Sequence, residues 1–195
     1  MKRKKPGKVR IVGGRWRGRR LPVPDLPGLR PSGDRSRETL FNWLAPQIRG
    51  TRCADLFAGT GVLGLEAASR GAASVVLIEK AAQAARAIRE NVSLLQGSDP
   101  VGEVEVVETD ALAWLASCSP DSLDLVFVDP PFGGGLEAAV LDALAGDGCL
   151  VQGGMVYLET ARQAGDILPG PEWEICREKA VGDVMMRLLK KKFEL

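Results

Sequence analysis

From about residue 51 onward the apolar positions of this chain switch repeatedly between strand-like runs and helix-like spacing. Cys53–Phe57, Ser74–Ile78, Val104–Val107 and Leu123–Val128 read as short strands. The last is apolar enough to lie buried on both faces of a parallel sheet. Between them, Val62–Arg70, Ala81–Gln96 and Ala111–Ala116 read as helices, with Gly71 and Gly97 as stop signals for the first two. Leu136–Ala145 predicts a further helix and Met155–Leu158 a further strand. Glu172–Lys192 predicts two last strands joined at Gly182-Asp183. Strands and helices alternating in this way imply an α/β fold built on a doubly wound, mostly parallel sheet.

The first 50 residues follow another pattern. Val9–Val12 and Arg19–Val23 flank Gly13-Gly14 and Gly18, which predicts a short hairpin. Residues 22–33 are rich in Pro and Gly and read as irregular, and a helix is expected from Asp34, with Leu40, Phe41 and Leu44 on one face. The chain is therefore expected to divide into an arm with a hairpin, residues 1–33, and a larger domain, residues 34–195.

Charge sharpens that division. Residues 1–37 carry a net charge of +11 and residues 38–195 a net −10, so the overall +1 hides a basic arm on an acidic body. Such asymmetry is the footprint of a polyanion binder. A solubilising tail would account for Met1–Lys8 but not for Arg10–Arg20, where basic residues alternate with Ile11, Val12, Trp16 and Leu21. Trp16 has two readings, a base-stacking surface or the cover of the hairpin's core. Lys190-Lys191-Lys192 reads as a solvated strand end.

Composition narrows the chemistry. No apolar stretch is long enough to cross a bilayer, and the basic amino terminus lacks the apolar run of a secretory signal, so the cytoplasm is expected. The four cysteines are far apart and read as reduced thiols rather than a zinc site. The chain has no histidine, which removes Ser-His-Asp hydrolysis, H-E-x-x-H metalloproteases and any histidine general base. No metal is expected.

Asp129-Pro130-Pro131-Phe132 directly follows the Leu123–Val128 strand. An acid at that tip lies on the carboxyl edge, where open α/β sheets bind ligands. Two prolines hold the chain extended and remove two N–H donors, leaving carbonyl oxygens outward. A carboxylate, a freed carbonyl and an aromatic face together suit a planar base bearing an exocyclic amino group. The tetrapeptide alone is equally a turn with a capping acid and a core Phe, and the motifs upstream decide between them.

Asp55-Leu56-Phe57-Ala58-Gly59-Thr60-Gly61-Val62-Leu63-Gly64 joins the first predicted strand of the repeats to its helix. Its G-x-G-x-x-G also matches the dinucleotide fingerprint, and both readings expect a ribose-binding acid about twenty residues on, a place that Glu79 fills. The two differ in charge. A pyrophosphate wants bare N–H groups, whereas Asp55 and a loop without Lys or Arg suit the ammonium and sulfonium of S-adenosyl-L-methionine. Asp110, at the third strand end, can bond an adenine amine and also cap the helix from Ala111. The candidate cofactor set is Asp55, Phe57, Gly59, Gly61, Glu79, Asp110 and Ala111. These signals stand in order at successive strand ends, which favours an amino-group methyltransferase.

The loop and the Asp129–Phe132 motif resemble class I amino-methyltransferases. The stretches Arg10–Arg19, Leu21–Pro24, Arg30–Ser32 and Asp34–Leu44 are similar to bacterial RsmD, a family that methylates the 2-amino group of one guanine in 16S ribosomal RNA. The resemblance covers nearly the whole chain and weakens beyond about residue 133, where Gly133-Gly134-Gly135 replaces a more basic loop. It implies a Rossmann-like class I methyltransferase fold with a seven-stranded sheet, S-adenosyl-L-methionine as cofactor and 16S rRNA as partner; a monomer is expected. It also implies catalytic roles for Asp129, Pro130, Pro131 and Phe132. Arg10, Arg15, Trp16, Arg17, Arg19, Arg20, Arg30, Arg35 and Arg37 are expected to face RNA. Rival readings are a DNA adenine-N6 methyltransferase, a ribosome-assembly or RNA-binding scaffold on the same fold, and an NAD oxidoreductase.

Overall fold

The computed structural model describes residues 7–24, 26, 33–131, 135–146, 148–162 and 169–193. Nine strands and five helices are found among them. They run β1 (Gly7–Arg10), β2 (Arg20–Val23), α1 (Asp34–Leu44), β3 (Arg52–Asp55), α2 (Val62–Ser69), β4 (Ser74–Glu79), α3 (Ala82–Ser98), β5 (Glu103–Glu108) and α4 (Ala111–Ser117). The series continues with β6 (Leu123–Val128), α5 (Leu136–Ala145), β7 (Leu150–Ala161), β8 (Trp173–Val181) and β9 (Val184–Lys191). β1 and β2 form an antiparallel hairpin, and the other seven strands form one sheet in the order β5-β4-β3-β6-β7-β9-β8. All its pairings are parallel except those of β9 with β7 and β8.

The sheet has an apolar cluster on each face. One joins Phe41 and Leu44 of α1, Leu65 and Ala68 of α2, and Ile88 and Leu95 of α3 to Phe127 and Tyr157. The other joins Leu115 of α4 and Val140, Leu141 and Leu144 of α5 to Val126, Val128 and Leu158. Alternation along β6 and β7 thus feeds both clusters. α2 is buried along its whole length. Its Gly64 is what allows this close approach, because a Cβ there would run into the Leu77 side chain of β4.

The hairpin packs into the first cluster rather than standing apart. Val9, Ile11, Trp16, Leu21 and Val23 are buried with the helices of that face. Trp16 is fully enclosed: its ring N–H donates to the Asp99 carbonyl at 2.7 Å and its backbone N–H to Ser69 Oγ at 2.9 Å. Glu66, also fully buried, accepts from the Val12 N–H at 2.9 Å and pairs with Arg37 and Arg70.

Three details differ from the sequence reading. α3 continues through Gly97 to Ser98; the stop comes from Gln96, whose side chain bonds the Val101 N–H and the Gly102 carbonyl in the exit turn. β7 is longer than its apolar centre because it resumes pairing with β6 across an irregularity after Leu123. Lys191 is buried rather than solvated. β9 is an interior strand, and the Lys191 ammonium donates to the carbonyls of Gly146 and Leu150 at 2.7 and 3.2 Å.

Removing Trp16 should therefore unsettle the whole domain. Trp16→Ala is expected to cost about 3–5 kcal/mol, read as a lower urea midpoint with little change in slope. A surface tryptophan would cost well under 1 kcal/mol.

Candidate active site at the carboxyl edge of the sheet

β3 pairs in parallel with β4 on one side and β6 on the other, with Asp55 opposite Leu77 and Phe127. The loop leaving β3 is stitched to both neighbours: Leu56 N–H donates to the Phe127 carbonyl at 3.1 Å, and Ala58 N–H to the Ile78 carbonyl at 2.9 Å. Gly61 takes a positive φ of 76° as the residue that starts α2, a conformation suited to glycine. Phe57 is half-buried against the α4–α5 cluster.

Three acids follow one another along this edge. Asp55 is buried; Oδ2 accepts the Gly64 N–H at 3.1 Å, while Oδ1 has no hydrogen-bond partner. Burial pushes its carboxyl up to about 7, against the pull of the Gly64 and Phe57 N–H groups. Glu79 ends β4 and accepts from the Gly59 N–H at 2.8 Å and the Ala81 N–H at 2.7 Å. Asp110 caps α4 by accepting from Leu112 and Ala113 at 3.0 and 3.4 Å, with Lys80 at 3.3 Å. The Ala113 N–H and Lys80 hold the Asp110 carboxyl below the usual range. Ala111 is buried behind it.

These residues fit a cofactor with a cationic end, a ribose and an adenine. Asp55 Oδ1 is a buried acceptor lacking a donor, which a ligand ammonium would satisfy. Glu79 and Asp110 offer carboxylates one and two strands further along. A pyrophosphate would face the same three acids, so the row disfavours a dinucleotide.

On the other side of β3 the chain leaves β6 through Asp129, which is half-buried, Pro130, which is buried, and Pro131, which is exposed. Phe132, like Gly133 and Gly134, lies outside the described residues. The sequence reading overlooked Glu159. Val128 pairs with Leu158, so Glu159 is the next residue along β7 just as Asp129 is along the β6 exit. Glu159 is 7 % exposed, and its Oε2 accepts the Tyr157 hydroxyl at 2.6 Å. Burial, with Glu159 and Asp129 nearby, pushes the Tyr157 phenol well above its ordinary value. The signal that would find Glu159 is an acid directly after an apolar strand run, as at Asp129, although β7 itself continues to Ala161.

The basic arm presents a mixed set. Arg17, Arg20 and Arg35 are exposed, with no ion pair among the described residues. Arg10 and Arg15 are exposed but pair with Asp34 and Asp99 at 2.9 and 2.6 Å, and Arg19 reaches Ser98 Oγ at 3.1 Å. Two expectations need correction. Trp16 cannot stack on a base, because hairpin packing encloses it. Arg37 is 1 % exposed and held by Asp34, Glu66 and the Arg10 carbonyl, so it anchors the hairpin instead of facing RNA. Arg30 lies outside the described residues.

Burial pushes Cys53 and Cys149 up to about 12. Among the described residues no cluster of three or more His, Cys, Asp or Glu could hold a metal ion, and no helix is long and apolar enough to cross a membrane.

Residues 9–190 match the family model described as Conserved hypothetical protein 95. The chain is 44% identical over 185 residues to Ribosomal RNA small subunit methyltransferase D of Escherichia coli (strain K12), covering 95% of this chain and 91% of that protein. The protein of the same name from Haemophilus influenzae is 40% identical, covering 93% of each. Among solved structures, the putative methyltransferase yhhF from Escherichia coli superposes with a TM-score of 0.84 at 41% identity, covering 95% of this chain and 99% of that one.

The buried Asp55 makes a testable demand on stability. Its folded value of about 7 lies above its unfolded value of 3.8, so the folded state binds the proton more tightly and this contribution falls as pH rises from about 4 to about 7. Without ligand, the urea-derived stability of the wild type should fall between pH 5 and 8 by more than that of Asp55→Asn. The expected difference is on the order of 2 kcal/mol; equal slopes would place the carboxyl in water.

Proposed function

This chain belongs to the ribosomal RNA small subunit methyltransferase D family, and on that premise we propose that it transfers a methyl group from S-adenosyl-L-methionine to the 2-amino group of a guanine in 16S ribosomal RNA. The single observation that carries the reading is the line of carboxylates on the sheet's carboxyl edge, Asp110, Glu79 and Asp55, ending beside Asp129. The names of the Escherichia coli and Haemophilus influenzae relatives support ribosomal RNA as substrate. The work is then cytoplasmic, where that RNA resides.

Asp55 would hold the cofactor's ammonium, Glu79 its ribose hydroxyls and Asp110 with Ala111 its adenine. When bound, the cofactor supplies a methyl group on a cationic sulfur, reactive enough for direct displacement. Guanine N2 is a weak nucleophile because its lone pair is spread into the ring. Asp129 and the Pro130 carbonyl accept the two N2 hydrogens, which favours a pyramidal nitrogen with its lone pair turned toward the donor. The residues thus contribute orientation and electrostatics. The surplus proton leaves by way of Asp129 or water. Phe132 stacks on the extruded base.

The arm, residues 1–33, serves as the RNA-facing extension of the domain, residues 34–195. Among the described residues, Arg17 and Arg20 of the arm and Arg35 in the first turn of α1 are exposed without an ion pair, with Arg10, Arg15 and Arg19 beside them.

Asp129→Ala should bind S-adenosyl-L-methionine with unchanged affinity by calorimetry yet lose at least about 100-fold in turnover on small-subunit RNA. Wild-type turnover in that variant would remove Asp129 from the chemistry. Arg17→Ala with Arg20→Ala should weaken RNA binding and reduce the salt slope by about 1.5. An unchanged slope would leave the hairpin without phosphate contacts.

A further inference from the structure

The carboxyl edge carries a second acid beside the amine clamp, and the reaction as described gives it no task. β6 and β7 run parallel with Val128 opposite Leu158, so Asp129 and Glu159 emerge side by side, roughly 4.8 Å apart at the strand spacing. Alternation puts both on the face of Phe127 and Tyr157, whose rings meet edge to face at 6.4 Å. Glu159 is 7 % exposed, and its Oε1 accepts no hydrogen bond from any described residue. A carboxylate buried to this degree costs stability unless donors reach it. The nearby basic residue of β9, Arg187, is engaged with Glu178 at 2.6 Å and with Thr160. The Tyr157 hydroxyl fixes the orientation of Glu159 through Oε2 at 2.6 Å and leaves Oε1 for something else.

Guanine offers what such a pair can take. Its N1–H and N2–H2 donate side by side from the two nitrogens attached to C2, on one edge. Adenine offers an amino group beside N1, a bare acceptor, so a carboxylate aimed at N1 would set lone pair against lone pair. We infer that Glu159 is a specificity-determining residue whose Oε1 accepts the N1–H of the target guanine while Asp129 and Pro130 hold N2. Tyr157 acts through Glu159 as a positioning residue. This rests on the guanine-N2 reading above and adds to it the group that rejects adenine.

The test uses 2-aminopurine, which keeps the 2-amino group and lacks the N1 hydrogen. Once the methylated position is mapped, small subunits are reconstituted with guanine or 2-aminopurine there, and kcat/KM is measured for each. The wild type should prefer guanine by roughly 10- to 100-fold or more, the worth of a hydrogen bond to a charged group. In Glu159→Gln, which keeps size and can keep the Tyr157 bond, the loss should fall on guanine and the ratio should collapse toward one. Tyr157→Phe should give an intermediate ratio. Calorimetric affinity for S-adenosyl-L-methionine and the thermal midpoint serve as checks that each variant is folded. A ratio unchanged in Glu159→Gln overturns the inference and leaves the guanine-N2 reading standing. Wild-type protein that places no methyl on guanine N2 overturns both.

Discussion

The parallel pairing of β3 with β6 is the constraint on which the rest of the site depends. These strands are distant in sequence, and their register puts Asp55 opposite Phe127. The Leu56 N–H to Phe127 carbonyl bond then fixes the loop after β3 against the exit of β6. One residue of slip in β3 would turn Asp55 to the opposite face, and one in β6 would exchange its two apolar sets between clusters. Because both faces of the sheet are covered by helices, that slip is strongly opposed. The proposed donor and acceptor sites thereby rest on neighbouring strand ends rather than on long loops.

A second constraint fixes the arm. Glu66 is buried in α2 with Arg37 and Arg70 as ion partners and the Val12 N–H as a further donor, and Ser69 bonds both Trp16 N–H and the Gly13 carbonyl. Burial pushes the Glu66 carboxyl upward and draws the Arg37 guanidinium downward, and each is offset by its partners. Such a network contributes little net stability, but removing one member leaves an unpaired buried charge. Its effect is geometric. It ties the hairpin to the helix that begins at the glycine loop, so the exposed arginines of residues 10–20 hold a defined attitude to the carboxyl edge.

Much of this was legible beforehand, and the reasons are physical. Strand and helix periods are local, so β6 and α5 were read with their observed bounds, and the doubly wound order followed from the alternation. The glycine loop, Glu79, Asp110 and Asp129 were legible because strand-tip acids and turn glycines announce themselves without tertiary knowledge. Arg37 and Lys191 are misread, and Trp16 is left between two readings, for the opposite reason. Nothing local tells a surface tryptophan from one covered by α2 and the α3–β5 turn, or an exposed arginine from one whose partner lies 29 residues on. Glu159 escapes the sequence reading because the apolar run ends at Leu158, whereas β7 continues to Ala161. Which acids stand beside one another on a sheet edge follows from strand order, and strand order is not written in any one segment.

The account stands or falls on where the methyl group goes. Small-subunit ribosomal RNA incubated with the purified protein and methyl-labelled S-adenosyl-L-methionine, then digested to nucleosides and resolved by mass spectrometry, gives that directly. The label is predicted in N2-methylguanosine at a single position. Label in N6-methyladenosine, or none in RNA while the protein binds the cofactor, would contradict it.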